Sequence, residues 1–382
     1  MTTQIRHILV AIGDLRRTPR GELRKAGTLA RAARAKVELF HAIDEPDPER
    51  SFPETATFDE VETLRTAIVQ KHQRRLERFA REPALRGVTV RCTASWDYPP
   101  HEAVIRRARA AGSGLVIAAA RGHRFGARLV LRNTDWELIR HCPVPLLLVK
   151  SPRPYRRPPV VAAVDPFHRH ARPSNLDARL VQAGAEVTRL LHGTLHLFHA
   201  YMPIAGVEPM AMAAAPFVMM PPEVEEAHAA QVARVIGKLA DQAGIPRARC
   251  HLRMGEVADQ LSAFARRSGT AIAVMGAVSR SAMARLFIGN TAERALDRVS
   301  CDVLIVKPRG FRSSVQRQPQ DTARTVRRRR IRSLRKVRPR GSAGGGRATT
   351  IRLSRAGIPV SSALHSYCRC RAARLPTKRR KR

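Results

Sequence analysis

Short apolar runs recur along the chain, each four to six residues long, the pattern of strands buried on both faces. They fall at His7–Ile12, Val37–Ala42, Val88–Thr93, Leu115–Ala120 and Pro145–Val149. The same series returns at Val160–Val164, Leu195–Ala200, Arg249–Arg253, Ala271–Met275 and Val303–Val306. Between the runs, apolar residues come three or four apart, which is the spacing of one helix face. That spacing predicts helices near Arg20–Ala35, Phe58–Arg81, His101–Ala111 and Thr134–Arg140. In the second series they fall near Leu176–His192, Pro222–Ala243, Val257–Ser268 and Asn290–Arg298. Strand and helix alternate throughout, so the expected fold class is α/β, as two tandem doubly wound parallel-sheet domains.

The halves also repeat in residues. Leu-Phe-His-Ala within Val37–Ile43 recurs within Leu195–Tyr201, and Thr134–Lys150 aligns without a gap on Thr291–Lys307 at an offset of 157. The boundaries that follow are a first domain over 1–150, a linker over 151–159 and a second domain over 160–312. A tail occupies 313–382. The linker reads SPRPYRRPP, whose four prolines bar a helix or a central strand,. Two equal halves are expected to pack as an intramolecular pseudo-dimer, and a homodimer of such chains is a further expectation.

Length and composition sharpen this picture. A chain of 382 residues with 44% hydrophobic and 4% aromatic content supports two domains with aliphatic cores,. Six scattered cysteines show no disulfide framework, and MTTQIRHILVAIG runs straight into a strand without a cleavable leader,. Both point to the cytoplasm. Net charge is +39, concentrated in the tail, where 22 Lys and Arg stand against Asp321 alone. Such a segment builds no core and is expected to be disordered. Its functional reading is nonspecific binding of nucleic acid through phosphates; the competing one is translation past a frameshift, because arginine excess without periodicity marks no selected module.

Candidate chemistry gathers at Gly276–Lys307. A strand ends at Met275, small residues follow at Gly276, Ala277 and Ser279, and Gly289-Asn290-Thr291 opens an amphipathic helix with Asn290 or Thr291 as N-cap,. Loops of this kind hold phosphate, because small residues let backbone N–H groups approach and a helix N-terminus adds positive potential.

These residues resemble the universal stress proteins, whose pattern is glycine, two residues, glycine, nine residues, then glycine with Ser or Thr. Here Gly276, Ser279 and Gly289 take those places, with Asn290 and Thr291 following, and GNTAERALDRVSCDVLIVKP is similar to the family's tandem-domain members. The resemblance implies two universal-stress domains of the adenine nucleotide alpha hydrolase-like type, acting in stress response by binding a ligand or partner. It also implies an adenine nucleotide such as ATP, with Asp165 at the end of the first strand near adenine and ribose. The expected binding set is Asp165, Gly276, Ala277, Ser279, Gly289, Asn290 and Thr291. Arg280 and Arg285 on the intervening loop are placed to close over phosphate. In the first half Gly13 takes the place of Asp165, with Asp14 one residue later, and Ala119, Gly122 and Arg132 take the three glycine positions. A nucleotide there is disfavoured, since Arg132 fills phosphate space.

Other candidates weigh less. The Met-rich stretch from Pro203 to Pro222 is long enough to span a bilayer, but five prolines and Glu208 argue against a membrane span,. A packed lid is its bland reading, and an adaptable apolar wall over a ligand its sharp one. His168 and His170 lack a third metal ligand. His196 and His199 should face opposite sides of one strand, and His41 and His199 read as structural. No metal site is expected, and no nucleophile or paired-carboxylate spacing marks an enzyme; an ATP-hydrolysing switch remains the alternative.

Overall fold

The computed structural model describes residues 5–44, 57–120, 122–125, 128–131, 133–167, 176–202, 222–277 and 290–316. All of them belong to one compact unit, residues 1–325. The first half runs β1 (His7–Ala11), α1 (Arg20–Ala33), β2 (Lys36–Ile43), α2 (Phe58–Ala80), β3 (Val90–Trp96), α3 (Pro100–Ala110) and β4 (Leu115–Ala119). A hairpin of β5 (Gly122–Phe125) and β6 (Arg128–Leu131) follows, then α4 (Asn133–His141) and β7 (Leu146–Val149). The second half repeats the plan as β8 (Pro159–Ala163), α5 (Leu176–Leu191), β9 (Thr194–Tyr201), α6 (Pro222–Gln242), β10 (Cys250–Met254) and α7 (Val257–Arg267). It closes with β11 (Ile272–Gly276), α8 (Asn290–Arg298) and β12 (Asp302–Val306).

Apart from the hairpin, the strands form one ten-stranded sheet in the order β10-β9-β8-β11-β12-β7-β4-β1-β2-β3. Neighbours within each half are parallel, as the unbroken apolar runs predict,. Helices must then cover both faces. Leu23 of α1, Leu76 of α2, Leu180 of α5 and Val232 of α6 join one core, and Ile105 of α3, Ile139 of α4, Leu261 of α7 and Leu296 of α8 join the other. The strand period of two shares each strand between them: Leu147 and Val149 enter the first core, Leu146 and Leu148 the second,.

The halves meet through the antiparallel pairing of β7 with β12. Leu147 pairs with Leu304, its own counterpart at the offset of 157, while Leu148 pairs with Val303 and Leu146 with Ile305. Equivalent residues thus exchange places across the seam, as in an isologous contact. A pseudo-twofold axis passes through the Leu147–Leu304 pair, and this is the form the expected pseudo-dimer takes.

The linker differs from expectation. Pro159 begins β8, a central strand, where the linker's prolines predict none. At the first position of a strand only the carbonyl is required, and that of Pro159 accepts the Ala271 N–H at 2.9 Å,. Pro158 likewise accepts from Thr194 at 3.1 Å, and a Cβ on Gly193 would stand 2.2 Å from that carbonyl oxygen, so glycine is required there,. Tyr155 is buried and donates its hydroxyl to Asp302 Oδ2 at 2.6 Å. Lys25 joins the same carboxylate at 2.9 Å and lies over the Tyr155 ring at 3.6 Å. The backbone N–H groups of Lys150 and Ser151 both donate to Asp302 Oδ1 at 2.9 Å. One buried carboxylate therefore ties α1, the linker and β12 together.

The chain beyond β12 returns to the first half. Val315 is buried in the core beneath α3 and α4, Arg109 donates to its carbonyl at 2.6 Å, and Ser314 bonds His141 at 2.9 Å. These residues fall within the stretch read as tail from Ser313. Residues 317–382 lie outside the described residues, as do 203–221 of the Met-rich stretch and His168 and His170.

Candidate functional site

The first strand of each half sits in the middle of that half's five strands, so its two crossovers leave in opposite directions. In the second half β8 pairs with β9 on one side and β11 on the other. The loops part at the carboxyl ends of β8 and β11, which makes the switch point where doubly wound sheets collect ligands. Carrying the Val274–Ala162 register on by two residues sets Gly276 beside Val164. Val164 still bonds as a strand, its N–H donating to Phe198 at 3.0 Å, and Asp165 is the first exposed residue beyond. The backbone N–H of Asp165 donates to the Asp177 carboxylate at 3.0 Å, which fixes the start of α5 over the end of β8.

The predicted binding residues are brought together in part. Asp165 and Gly276 flank the switch point, and Asn290 and Thr291 form the first turn of α8, whose leading N–H groups have no intrahelical partner,. The side chains of Asn290 and Thr291 lie outside the described residues, as do Ser279, Gly289, Arg280 and Arg285. Ala277 departs from expectation: it is a core residue, 3% exposed, and its carbonyl accepts Lys307 Nζ at 3.0 Å. Gly276 departs as well. A Cβ there would fall 2.7 Å from Leu176 Cδ2, so the space its missing side chain leaves is filled by α5. The crevice thus carries an exposed carboxylate at Asp165 but no open space at Gly276. Leu176 and Asp177 were missed in the sequence, where they read only as a helix start.

The first half shows the same frame with different contents. Ile12 donates its N–H to Phe40 as Val164 does to Phe198, so Gly13 stands in the place of Asp165. Asp14 accepts from the Arg16 backbone at 2.9 Å and from its guanidinium at 3.4 Å. Where a phosphate loop was aligned, Gly122 pairs with Leu131 in the β5–β6 hairpin. Backbone N–H groups committed to a ladder are not presented to phosphate, and β6 packs against α8 of the other half.

Several other titratable groups serve structure. His41 and His199 are buried, and each ring bonds the carbonyl ending the first strand of its half, Ile12 at 2.6 Å and Val164 at 2.9 Å. His196 faces away from His199 and stacks on His251, with Nδ1 and Nε2 3.0 Å apart; burial holds both rings below the usual histidine range. Glu38 is 1% exposed; burial alone would raise its pKa, yet bonds from His7, Thr93 and Arg107 bring it down to about 2. Among the described residues no three His, Cys, Asp or Glu side chains gather to hold a metal, and no helix is long and apolar enough to cross a membrane.

Comparison with known proteins agrees with this geometry. Universal stress protein E of Escherichia coli K12 is 27% identical over 264 residues, which covers 68% of this chain and 81% of that one. The Haemophilus influenzae homologue is 22% identical over 293 residues, covering 74% and 94%. A solved universal stress protein from Pseudomonas aeruginosa UCBPP-PA14 shares the fold with a TM-score of 0.59 at 23% identity, over 80% of this chain and 95% of its own. One from Archaeoglobus fulgidus gives 0.51 at 14% identity. The Universal stress protein family matches residues 4–150 and again 158–307, and with both halves accounted for the chain belongs to that family as a tandem of two such domains.

Proposed function

We propose that this protein is a cytoplasmic, non-catalytic stress-response protein that binds a ligand, and that its second half takes an adenine nucleotide such as ATP while the first serves as scaffold. The observation that carries this is Asp165, exposed at the carboxyl end of β8, beside β11 and on the switch point. Its carboxylate is the acceptor for a ribose or adenine donor, and the first turn of α8 supplies N–H groups for phosphate. Leu176 must move aside for phosphate to reach Gly276. A binder is favoured over an enzyme because strongly perturbed groups such as Glu38, Lys150, Tyr155 and Lys307 are spent joining elements of the fold. Free thiols at Cys92, Cys142, Cys250 and Cys301 suit a reducing compartment,.

Calorimetry of the full chain with ATP, with and without magnesium, tests this. Tripolyphosphate at raised salt is the control, because the basic tail attracts any polyanion. Heat specific to ATP that disappears in Asp165→Ala supports the site. Equal heat from tripolyphosphate assigns the binding to the tail. The net charge of +39 also favours a second reading, nucleic-acid binding through residues 317–382. Affinity for duplex DNA that falls steeply with salt, and is lost on deleting those residues, would establish it.

A further inference from the structure

The seam between the halves holds a cavity of about 270 Å³ on the side of the sheet covered by α1 and α5. Equivalent residues of the two repeats line it in pairs: Leu115 with Ile272, Leu147 with Leu304, and Leu29 with Val187. It lies along the pseudo-twofold axis and shares no residue with the crevice at Asp165.

A twofold frame should present each feature twice, and here one copy is filled. Arg34 and His192 end α1 and α5 alike, in left-handed backbone with φ of 52° and 50°. Counting back from these caps puts Ala183 in the place of Lys25. Along the seam strands, Pro145 takes the place of Asp302, and Arg309–Gly310 that of Pro152–Arg153. In the first copy Lys25, Asp302 and the linker close around the ring of Tyr155. In the second, Ala183 is short, and the chain after Gly310 turns away to bury Val315 under α3 and α4. Among the described residues no ring is delivered, and Ala183, Pro145, Arg309 and Gly310 line the open cavity instead.

The polar groups differ in a way that defines the missing occupant. Tyr155 donates its hydroxyl to Asp302, but in the open copy a proline replaces that carboxylate, so a buried hydroxyl has no such acceptor. Arg179, Arg309 and Glu186 line the cavity, leaving one net positive charge. Glu186 is already engaged, accepting the backbone N–H of Ile5. Arg179 is half-buried, no carboxylate pairs with it among the described residues, and burial followed by the neighbouring Arg309 holds its pKa down. At roughly 30 Å³ for each water of the liquid, the space equals about nine waters, room for a single-ring ligand,.

We propose that the seam cavity binds a small aromatic carboxylate, its ring over the Leu147–Leu304 floor and its carboxylate on Arg179 and Arg309. The ligand completes in the second half what Tyr155 completes in the first. Titration calorimetry of the full chain with benzoate, benzyl alcohol and benzylamine tests this with ligands of nearly equal size. Benzoate should bind at least tenfold tighter than the alcohol, and benzylamine weakest. Arg179→Ala should remove that preference while leaving the basic tail untouched, and Ala183→Phe, which places a ring in the cavity, should abolish binding. Should Ala183→Phe fail to fold, the Arg179→Ala comparison stands by itself. Benzoate affinity unchanged in Arg179→Ala, benzylamine binding as tightly as benzoate, or no heat at millimolar benzoate would overturn the proposal.

Discussion

Lys150 and Lys307 occupy the same place in the two repeats, and each caps the last helix of the other half. Lys150 Nζ bonds the carbonyls of Leu296 and, at 2.8 Å, Val299 at the end of α8; Lys307 Nζ bonds Arg140 at the end of α4 and Ala277, both at 3.0 Å. A cation at a helix C-terminus satisfies orphan carbonyls and meets the negative end of the helix dipole. Because each lysine crosses the seam, the two caps also lock β7 against β12. Burial brings both lysines down to about 8.

Lysine capping predicts a pH dependence with a definite sign. Between pH 8 and the ordinary lysine value of 10.5, the unfolded chain keeps a proton that folded Lys150 has released. Stability of the parent protein relative to Lys150→Met should therefore rise with pH across that window, by up to roughly 3 kcal/mol. Below pH 8 the difference should be flat. Urea unfolding of both proteins at pH 7, 8.5 and 10 measures it, and a difference that shrinks as pH rises would count against the assignment.

Glu38 gives the opposite limb. Its folded pKa of about 2 lies below the ordinary 4.5, so its stabilisation is complete above pH 4.5 and is lost as pH falls toward 2. Glu38→Gln should destabilise the protein by about 2–3 kcal/mol at pH 7 and change little near pH 2. Acid titration of the unfolding midpoint for the two proteins separates these outcomes.

Asp302 is wholly buried and accepts from Lys25, Tyr155 and two backbone N–H groups. Asp302→Asn leaves Lys25 with a buried, uncompensated charge and should lower stability by about 3–5 kcal/mol. Tyr155→Phe removes one hydrogen bond to a charged acceptor, about 2 kcal/mol. If the three groups form one unit, Lys25→Met combined with Asp302→Asn should cost less than the sum of the single changes.

Val315 carries the folded body beyond the last strand. A chain ending at Arg312 loses the Val315 side chain and the bond from Arg109, and should be less stable than one ending at Gln316 by about 1–3 kcal/mol. Thermal denaturation of the two truncated chains decides it, and equal midpoints would show that the segment is merely resting on the surface.

Much of the fold was legible in the sequence because it is written in local periods. The run Leu304-Ile-Val306 reads as a buried strand, and Leu176–Leu191 as one helix face, whatever lies beside them. The Leu-Phe-His-Ala repeat likewise set the two halves in register, and the family resemblance, not the repeat, singled out Asp165, which follows the first strand of its half. What the sequence could not decide was which residues meet across long separations. Nothing in a local period distinguishes Lys150 reaching across the seam from Lys150 facing water, or tells that β7 pairs antiparallel with β12. The role of Gly276 depended on Leu176, a hundred residues away, filling the space where phosphate was expected. Tyr155 looked like linker until Asp302, distant in sequence, supplied the acceptor for its hydroxyl. Hydrophobic period fixes which face of an element is buried, whereas only tertiary packing decides what that face is buried against, and so which polar groups are consumed and which cavity stays open.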